Sequence, residues 1–446
     1  MGGVLINKDV VKLAMIKNNI ATQTELAERL GMSKSQLSQM LSDEFCPIKT
    51  NVINLLEELK ISFNELIGIE SNEQLELPLM DNSNLDNISR FDYKLNEFID
   101  VKDVTPVNKY TVLETFAGAG GLALGLEQAG LNSVGAIEMD TQACNTLKKN
   151  RPNWNIIKED IIEVANKGIR SHEQFVLKEE LDVLSGGYPC QSFSYAGKRH
   201  GLEDIRGTLF YPYSQILHDL RPKVFIAENV KGLVNHDNGR TLETMLDVFM
   251  QNNYTVYWNV LNAWNYDVAQ KRERIVIVGI RNDLVEKQIY PFAFPEVSSY
   301  KPVLRDVLKN VPDSLGTPYS EKKKKVLELV PQGGCWINLP EKVAKEYMGA
   351  SYNSGGGRRG MARRISWDEP SLTLTTSPSQ KQTERCHPEE TRPFTTREYA
   401  RIQSFPDDWK FEGSSSNIYK QIGNAVPVNL AKYVGLSVVN YLNQFK

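Results

Sequence analysis

The sequence predicts an α/β protein: a mostly parallel sheet covered by helices on both faces, with a small all-α segment in front of it. Three observations carry that expectation. From Tyr110 onward, short runs rich in β-branched residues alternate with helical stretches, the pattern of strands joined by crossover helices. Residues 1 to about 70 instead repeat apolar positions at helical spacing, with Leu26, Leu30, Leu37, Met40 and Leu41 on shared helix faces. The 446 residues are 41% hydrophobic and 24% charged, which excludes large-scale disorder.

Taken in order, residues 1–70 are the helical domain. Residues 71–109 hold eight Asp or Glu against four Lys or Arg and read as an acidic linker. In residues 110–282 strands are expected at Thr111–Leu113, Val134–Ile137, Leu181–Leu184, Val224–Ala227 and Arg274–Val278. Helices are expected around Gly121–Gln128, Thr141–Lys149, Tyr211–Leu220 and Thr241–Gln251. Between Arg281 and Arg385 the alternation fades into Pro-, Gly-, Ser- and Lys-rich sequence with 17 basic and 12 acidic residues, a local balance of +5. Lys322–Lys325 and Arg358, Arg359, Arg363 and Arg364 form two basic clusters around Gly355–Gly357. Helical texture returns from Thr395.

Several classes are excluded. No run approaches 18 apolar residues, so no ordinary membrane span is expected. The first residues lack the basic start and apolar run of a secretory signal. Cys46, Cys144, Cys190, Cys335 and Cys386 are scattered and never spaced as CxxC. Neither a disulfide framework nor a zinc site is suggested, no metal is expected, and a reducing cytoplasm fits best. With a net charge of -3, any nucleic-acid surface has to be local.

Thr22 to Ser38 reads as helix, glycine-containing turn, helix, with Gly31 in the turn and Ser33 as N-cap of the second helix. Lys34, Ser35 and Gln36 would be exposed near its start, where a recognition helix presents polar side chains to base edges. The segment resembles the phage-repressor helix-turn-helix. Seven basic residues against nine acidic ones through Glu70 weaken a DNA-binding reading, and a plain helical packing domain is the alternative.

Sheets of this kind bind ligands beyond the carboxyl ends of their strands. After the first strand, Thr115-Phe116-Ala117-Gly118-Ala119-Gly120-Gly121 opens a helix; its glycines permit a tight turn and close backbone approach to a ligand. Glu138 ends the next strand, where a carboxylate can bind ribose hydroxyls. On these residues alone a nicotinamide-dependent oxidoreductase competes. Phe116 offers a stacking face for adenine, and Asp160, followed by Ile161, could accept the adenine amino group. That pocket suits S-adenosylmethionine, which carries adenosine without a pyrophosphate. Core packing is the alternative for Phe116.

Three further strand ends hold reactive residues. Gly187-Tyr188-Pro189-Cys190-Gln191 places a cysteine in a loop just beyond a strand, where a nucleophile is more usual than an inert packing thiol. Glu228 closes another strand, partly desolvated and able to share a proton. Gln270-Lys271-Arg272-Glu273-Arg274 puts two arginines on one face by alternation. Ion pairing for Glu228 and plain surface charge for the arginines are the alternatives. Together they fit methylation of cytosine C5: a thiolate adds to C6 and makes C5 electron-rich, an acid serves N3, and an arginine steadies the ring carbonyl.

With these blocks in order, the sequence resembles the bacterial DNA (cytosine-5) methyltransferases of restriction-modification type, from Tyr110 to the C-terminus. Arg206–Phe210, Arg392–Glu398 and Gln421–Pro427 match further family blocks. The resemblance implies a Rossmann-like S-adenosylmethionine-dependent domain over 110–282, an inserted target-recognition domain over 283–385, and a segment over 386–446 that completes the catalytic domain. It implies Cys190 as nucleophile, Glu228 as acid, and Arg274 and Arg272 as stabilisers. For the cofactor it implies Phe116, Ala117, Gly118, Gly120, Gly121, Glu138, Met139, Asp160, Ile161, Gly187, Pro189, Leu209, Asn424 and Val426. Residues from Ser194 to Arg206 should close over DNA, with Gln191, Ser194, Lys198 and Arg199 as contacts, and the +5 insert should supply an electrostatic footprint. The target cytosine has to leave the duplex to reach the cysteine. Tyr188, Thr115, Glu114 and Met139 depart from the residues usual in the family. The expected partners are double-stranded DNA, a companion restriction endonuclease as a genetic partner, and operator DNA; the expected place is the bacterial cytoplasm, at the nucleoid. A cousin that methylates transfer RNA, and a sequence-specific repressor, stand as alternatives.

Overall fold

The computed structural model describes residues 8–18, 20, 22–41, 55–56, 58–60, 97–175, 177, 179–189, 208–353 and 360–445. The chain divides into two compact units, Met1–Tyr93 and Lys94–Lys446.

In the smaller unit the described residues form α1 Lys8–Lys17, α2 Gln23–Arg29 and α3 Lys34–Met40. Thr22 caps α2, its side chain accepting from the Glu25 amide. Gly31, at φ +66°, makes the turn. Ser33 and Gln36 then start α3 reciprocally: the Gln36 amide donates to Ser33 Oγ at 3.3 Å and the Ser33 amide to Gln36 Oε1 at 2.8 Å. Val11, Leu26, Ala27, Leu37, Leu41, Leu55 and Leu59 close together as the core. Lys34 and Gln36 are exposed, but the Gln36 side-chain oxygen serves its own helix start. The Ser35 side chain lies outside the described residues.

In the larger unit the strands are β1 Phe98–Ile99, β2 Thr111–Thr115, β3 Asn132–Ile137, β4 Ile156–Ile157, β5 Val183–Gly186, β6 Val224–Val230, β7 Tyr254–Asn262, β8 Gln270–Lys271, β9 Glu273–Arg281, β10 Phe294–Pro295 and β11 Ser371–Leu372. The helices that matter for the site are α4 Gly121–Gln128, α5 Thr141–Asn150, α6 Ile161–Lys167, α7 Phe210–Leu220 and α8 Arg240–Gln251. Toward the C-terminus follow α9 Asn282–Val285, α10 Leu304–Val307, α11 Glu321–Glu328, α12 Glu341–Met348, α13 Thr396–Ile402, α14 Ser415–Asn424 and α15 Val428–Leu442.

The main sheet runs β4-β3-β2-β5-β6-β9-β7. β2 to β6 are parallel, and β9 enters antiparallel between β6 and β7. The expected strands and helices form with ends moved by a few residues, but β7 was not expected. As the outermost strand it buries Tyr254, Tyr257 and Leu261 without a clean alternation, so the period-2 signal is weak there.

Alternation explains the two cores. Val112, Val183, Val224 and Ile226 point to one face and pack under α15 through Leu430, Val434 and Val438. Leu113, Leu184, Phe225 and Ala227 point to the other, against Phe210, Tyr213 and Leu217 of α7 and Met245 and Phe249 of α8. A third core joins Ala117 and Leu147 to Leu304, Leu374, Phe394, Tyr399, Ile402, Trp409 and Ile422. Residues 283–385 contribute to several cores: Phe292 and Phe294 belong to the first and Leu304 and Leu308 to the third. A core of their own gathers Tyr319, Leu327, Val330, Leu339, Ala344 and Ala362 with Cys386.

Of the basic clusters, Lys322, Lys324 and Lys325 are exposed, while Lys323, Arg363 and Arg364 turn inward. Lys323 pairs with Glu384, whose side chain is 0% exposed, and donates to the Ser379 carbonyl at 2.6 Å. Arg363 forks onto Glu369 with both contacts at 2.7 Å. Arg364 is buried and donates to the carbonyls of Leu327, Val330, His387 and Glu390 and to Thr391 Oγ1. Arg358, Arg359 and Gly355–Gly357 lie outside the described residues. Among the described residues no helix is long and apolar enough to cross a membrane.

Candidate active site

The parallel strands β2 to β6 end at one edge of the sheet, and the candidate residues follow from that polarity. After β2 the chain turns through Phe116 (φ +54°), Gly118 (φ +54°) and Gly120 (φ +85°) into α4. A Cβ on Gly118 would meet nothing within 4 Å, so the loop faces open space there. Glu138, at the end of β3, accepts from the Gly118 amide through Oε2 and from the Asp140 amide through Oε1, each at 2.7 Å. Each carboxylate oxygen keeps a further lone pair for a hydroxyl donor. Met139 is 64% exposed beside it. Asp160 caps α6, one oxygen accepting from the Ile162 amide at 2.9 Å, while Ile161 is buried in the core beneath. Leu209 precedes α7 and is partly buried in the same core. Asn424 ends α14 exposed, and Val426 lies buried behind Gly121, whose Cβ would meet the Val426 carbonyl at 2.3 Å. This set of glycine turns, an aromatic ring, a thioether and two carboxylates fits an adenosine bearing free ribose hydroxyls.

The Cys144 thiol, one turn into α5, donates to the Glu138 carbonyl at 3.3 Å. Burial pushes it up to about 11, so it is an inert packing thiol.

Beyond β5 come Gly187, buried Tyr188 and exposed Pro189. Tyr188 packs edge-on between Phe116 and Phe210, at 6.5 and 5.5 Å between centroids. One aromatic contact thus links the glycine loop to the cysteine loop. Cys190, Gln191, Ser194, Lys198 and Arg199 lie outside the described residues.

Glu228, on β6, is 13% exposed and pairs with Arg274 Nε at 2.9 Å. The antiparallel register makes this possible, because β9 begins where β6 ends, with Arg274 opposite Val230. Burial pushes the Glu228 carboxyl above its ordinary value, and Arg274 and Arg272 oppose that rise. Arg272 is buried and spends two donors on main chain, Nη1 to Leu374 O at 3.1 Å and Nη2 to Gly423 O at 2.9 Å. Burial and the neighbouring Arg274 bring it down to about 9, and it stays a cation at neutral pH.

Three supporting residues were not among the expected ones. Asn229 Nδ2 donates to the Tyr188 carbonyl at 2.9 Å and so pins the start of the cysteine loop. Gln270 Nε2 donates to Gln403 Oε1 at 2.8 Å, and Gln403 Nε2 to the carbonyls of Ile422 and Ala425. Asn229 carries a weak signal, a polar residue beside Glu228 in an apolar strand. Gln403 carries none, because its partners are distant in sequence.

A family model described as C-5 cytosine-specific DNA methylase matches residues 110–440, and one described as Helix-turn-helix matches 15–66. The chain is 63% identical over 440 residues to the Type II methyltransferase M.Sau96I of Staphylococcus aureus, covering 99% of each. It is 55% identical over 347 residues to M.Eco47II of Escherichia coli, covering 76% of this chain and 80% of that protein. Among solved structures, DNMT2 of Spodoptera frugiperda superposes with a TM-score of 0.54 at 18% identity, over 74% of this chain and all of that one. The last is a likeness of fold. The chain belongs to the C-5 cytosine-specific DNA methylases, which take the transferred methyl group from S-adenosylmethionine.

Proposed function

We propose that methyl transfer runs in this chain through Cys190, Glu228, Arg274 and Arg272, on a flipped-out cytosine within a short double-stranded sequence. S-adenosylmethionine, when bound, supplies an electrophilic methyl group. Phe116, Ala117, Gly118, Gly120, Gly121, Glu138, Met139, Asp160, Ile161, Gly187, Pro189, Leu209, Asn424 and Val426 would hold it. The Cys190 thiolate adds to cytosine C6, so that C5 gains the electron density needed to bond the methyl carbon. Glu228, its carboxyl raised above the ordinary value by burial, donates to N3 in its protonated form and offsets the charge that develops. Arg274 orients the carboxyl and lies next to the ring's place, while Arg272 fixes the surrounding main chain. A water molecule then takes the C5 proton, the C5–C6 double bond re-forms as the C6–S bond breaks and releases the Cys190 thiolate, and N3 returns its proton to Glu228. The observation that carries the reading is the Glu228–Arg274 pair at 2.9 Å on the carboxyl edge of the sheet, beside the strand that leads to Cys190. Gln191, Ser194, Lys198 and Arg199 would contact DNA.

Bisulfite sequencing of plasmid DNA from cells expressing the protein, beside a Cys190→Ser control, tests it. Protected cytosines at one motif, absent in the control, are expected. Equal protection by the mutant overturns the covalent scheme, and no protection with folded protein present turns attention to transfer RNA as substrate.

A second role rests on the helix-turn-helix match over 15–66. The smaller unit would bind operator DNA through Lys34, Ser35 and Gln36 and control its own gene or that of a companion restriction endonuclease, with the protein in the cytoplasm at the nucleoid. The curated relatives' Type II names favour such a companion. Absence of a footprint on the upstream promoter by the full chain, with expression unchanged by a Lys34→Ala, Gln36→Ala variant, would overturn it.

A further inference from the structure

Trp409 follows α13 in the chain and reaches the back of the glycine loop from 290 positions away. Its indole Nε1 donates to the Ala119 carbonyl at 3.1 Å, and the side chain is 2% exposed. A Cβ on Gly120 would stand 2.9 Å from Trp409 Cζ2 and 2.7 Å from Leu147 Cδ2. The Ala119–Gly120 peptide is therefore gripped from two sides at the point where the chain turns through φ +85°.

The tryptophan is itself held from several directions. Phe405 packs at 6.2 Å between ring centroids. Arg397 Nη2 donates to the Trp409 carbonyl at 2.8 Å. The Arg151 guanidinium lies 5.1 Å from the indole centroid, a cation over a π face. Arg151 is fixed in turn by Glu127, with Nε and Nη2 contacts between 2.5 and 3.0 Å. Glu127 belongs to α4, the helix the glycine loop feeds. The contacts close a ring from loop to α4, Glu127, Arg151, Trp409 and back to the loop.

We infer that Trp409 is a positioning residue for the methyl donor, holding the Ala119–Gly120 peptide in its binding conformation before the donor arrives. Ala119 sits between two left-handed glycines, and its peptide is tied at both ends, the Gly120 amide donating to the Ala117 carbonyl at 2.9 Å and Trp409 donating to the Ala119 carbonyl. Fixing it in advance removes an ordering cost from binding. The inference rests on the assignment of Phe116–Gly121 to the donor.

The test uses the full chain with Trp409→Phe, which keeps a buried ring and removes the donor. Affinity for S-adenosylhomocysteine is read by calorimetry, beside steady-state kinetics on duplex DNA. The expected result is a threefold to tenfold rise in the dissociation constant and donor KM, about the worth of one buried hydrogen bond. kcat and the DNA KM should stay within about twofold, since the contact touches only the donor loop. Unchanged donor affinity in folded Trp409→Phe overturns the inference and leaves Trp409 as packing. Should that variant not fold, Arg151→Met loosens the stack from outside: a twofold or larger weakening supports the clamp, and no change overturns it. Phe116→Ala separates the two readings, because intact donor affinity there would mean the loop assignment itself is wrong.

Discussion

Replacing Gly187 by alanine probes the seat of Glu228 with a single methyl group. The new Cβ would lie 2.9 Å from Glu228 Oε2, whereas ordinary contact begins at 3.4 Å, so something has to move by the difference, about 0.5 Å. The Gly187 backbone is braced: Asn229 holds the next carbonyl, of Tyr188, at 2.9 Å, and Thr115 Oγ1 donates to the Ser185 carbonyl at 3.1 Å. The carboxyl group, at the end of its side chain, yields instead. Stability then falls little, by about 1 kcal/mol. Catalysis falls more, because the other carboxylate oxygen leaves its 2.9 Å contact with Arg274. A 1 Å misplacement costs on the order of 10²-fold in rate, so half that distance predicts roughly a tenfold loss in kcat/KM, or about 1.4 kcal/mol in the barrier. The assay is kcat/KM on duplex DNA with a radiolabelled methyl donor, with the thermal midpoint and S-adenosylhomocysteine affinity measured in parallel. Native-like turnover by the folded variant would refute the reasoning. Donor affinity lost in step with turnover would place the damage in the cofactor pocket instead.

Glu228→Gln should lower kcat by about 10²- to 10⁴-fold while leaving donor affinity intact; a loss below tenfold would remove the acid from its role. Because burial raises the Glu228 pKa, native activity should hold while that group is protonated and decline as pH rises through its value, seen in a kcat–pH profile. Glu114 is buried with Oε2 unpartnered, and burial, then Glu138, pushes its carboxyl well above the ordinary value. The fold then binds a proton the unfolded chain has lost, so this contribution to stability is full below the unfolded pKa and is lost as pH rises toward the folded one. Glu114→Gln mimics the neutral acid, and denaturant midpoints followed from roughly pH 5 to 9 should fall less with pH than the native ones. Arg364→Met takes a donor from five acceptors, of which the Leu327 and Glu390 carbonyls keep a main-chain donor, and should lower unfolding stability by roughly 2 to 4 kcal/mol, measured by denaturant titration.

Legibility followed locality. Phe116, Gly118, Glu138, Gly187 and Glu228 could be read because each comes directly after, or at the end of, a strand whose apolar run announces it, and one edge of a parallel sheet collects such ends. The pairing of Glu228 with Arg274 could not, since it depends on β9 running backwards between β6 and β7. A charge count gives the balance but not its location. Lys323 and Arg363 pair with Glu384 and Glu369, which the +5 already subtracts, while the Arg364 charge is buried on main-chain carbonyls. Charge in a sequence becomes surface potential only where the fold leaves it outside.

The wall behind the glycine loop has a temporal consequence. Ala119 and Gly121 are laid down early, yet the atoms that hold them, Trp409 Nε1 and the Val426 carbonyl, come roughly three hundred residues later. Contacts of such long sequence separation form late and slowly. A growing chain therefore holds its glycine turn only through near neighbours, such as Glu138 on the Gly118 amide, until the last helices leave the ribosome. The donor loop reaches its final bracing only when synthesis is nearly finished.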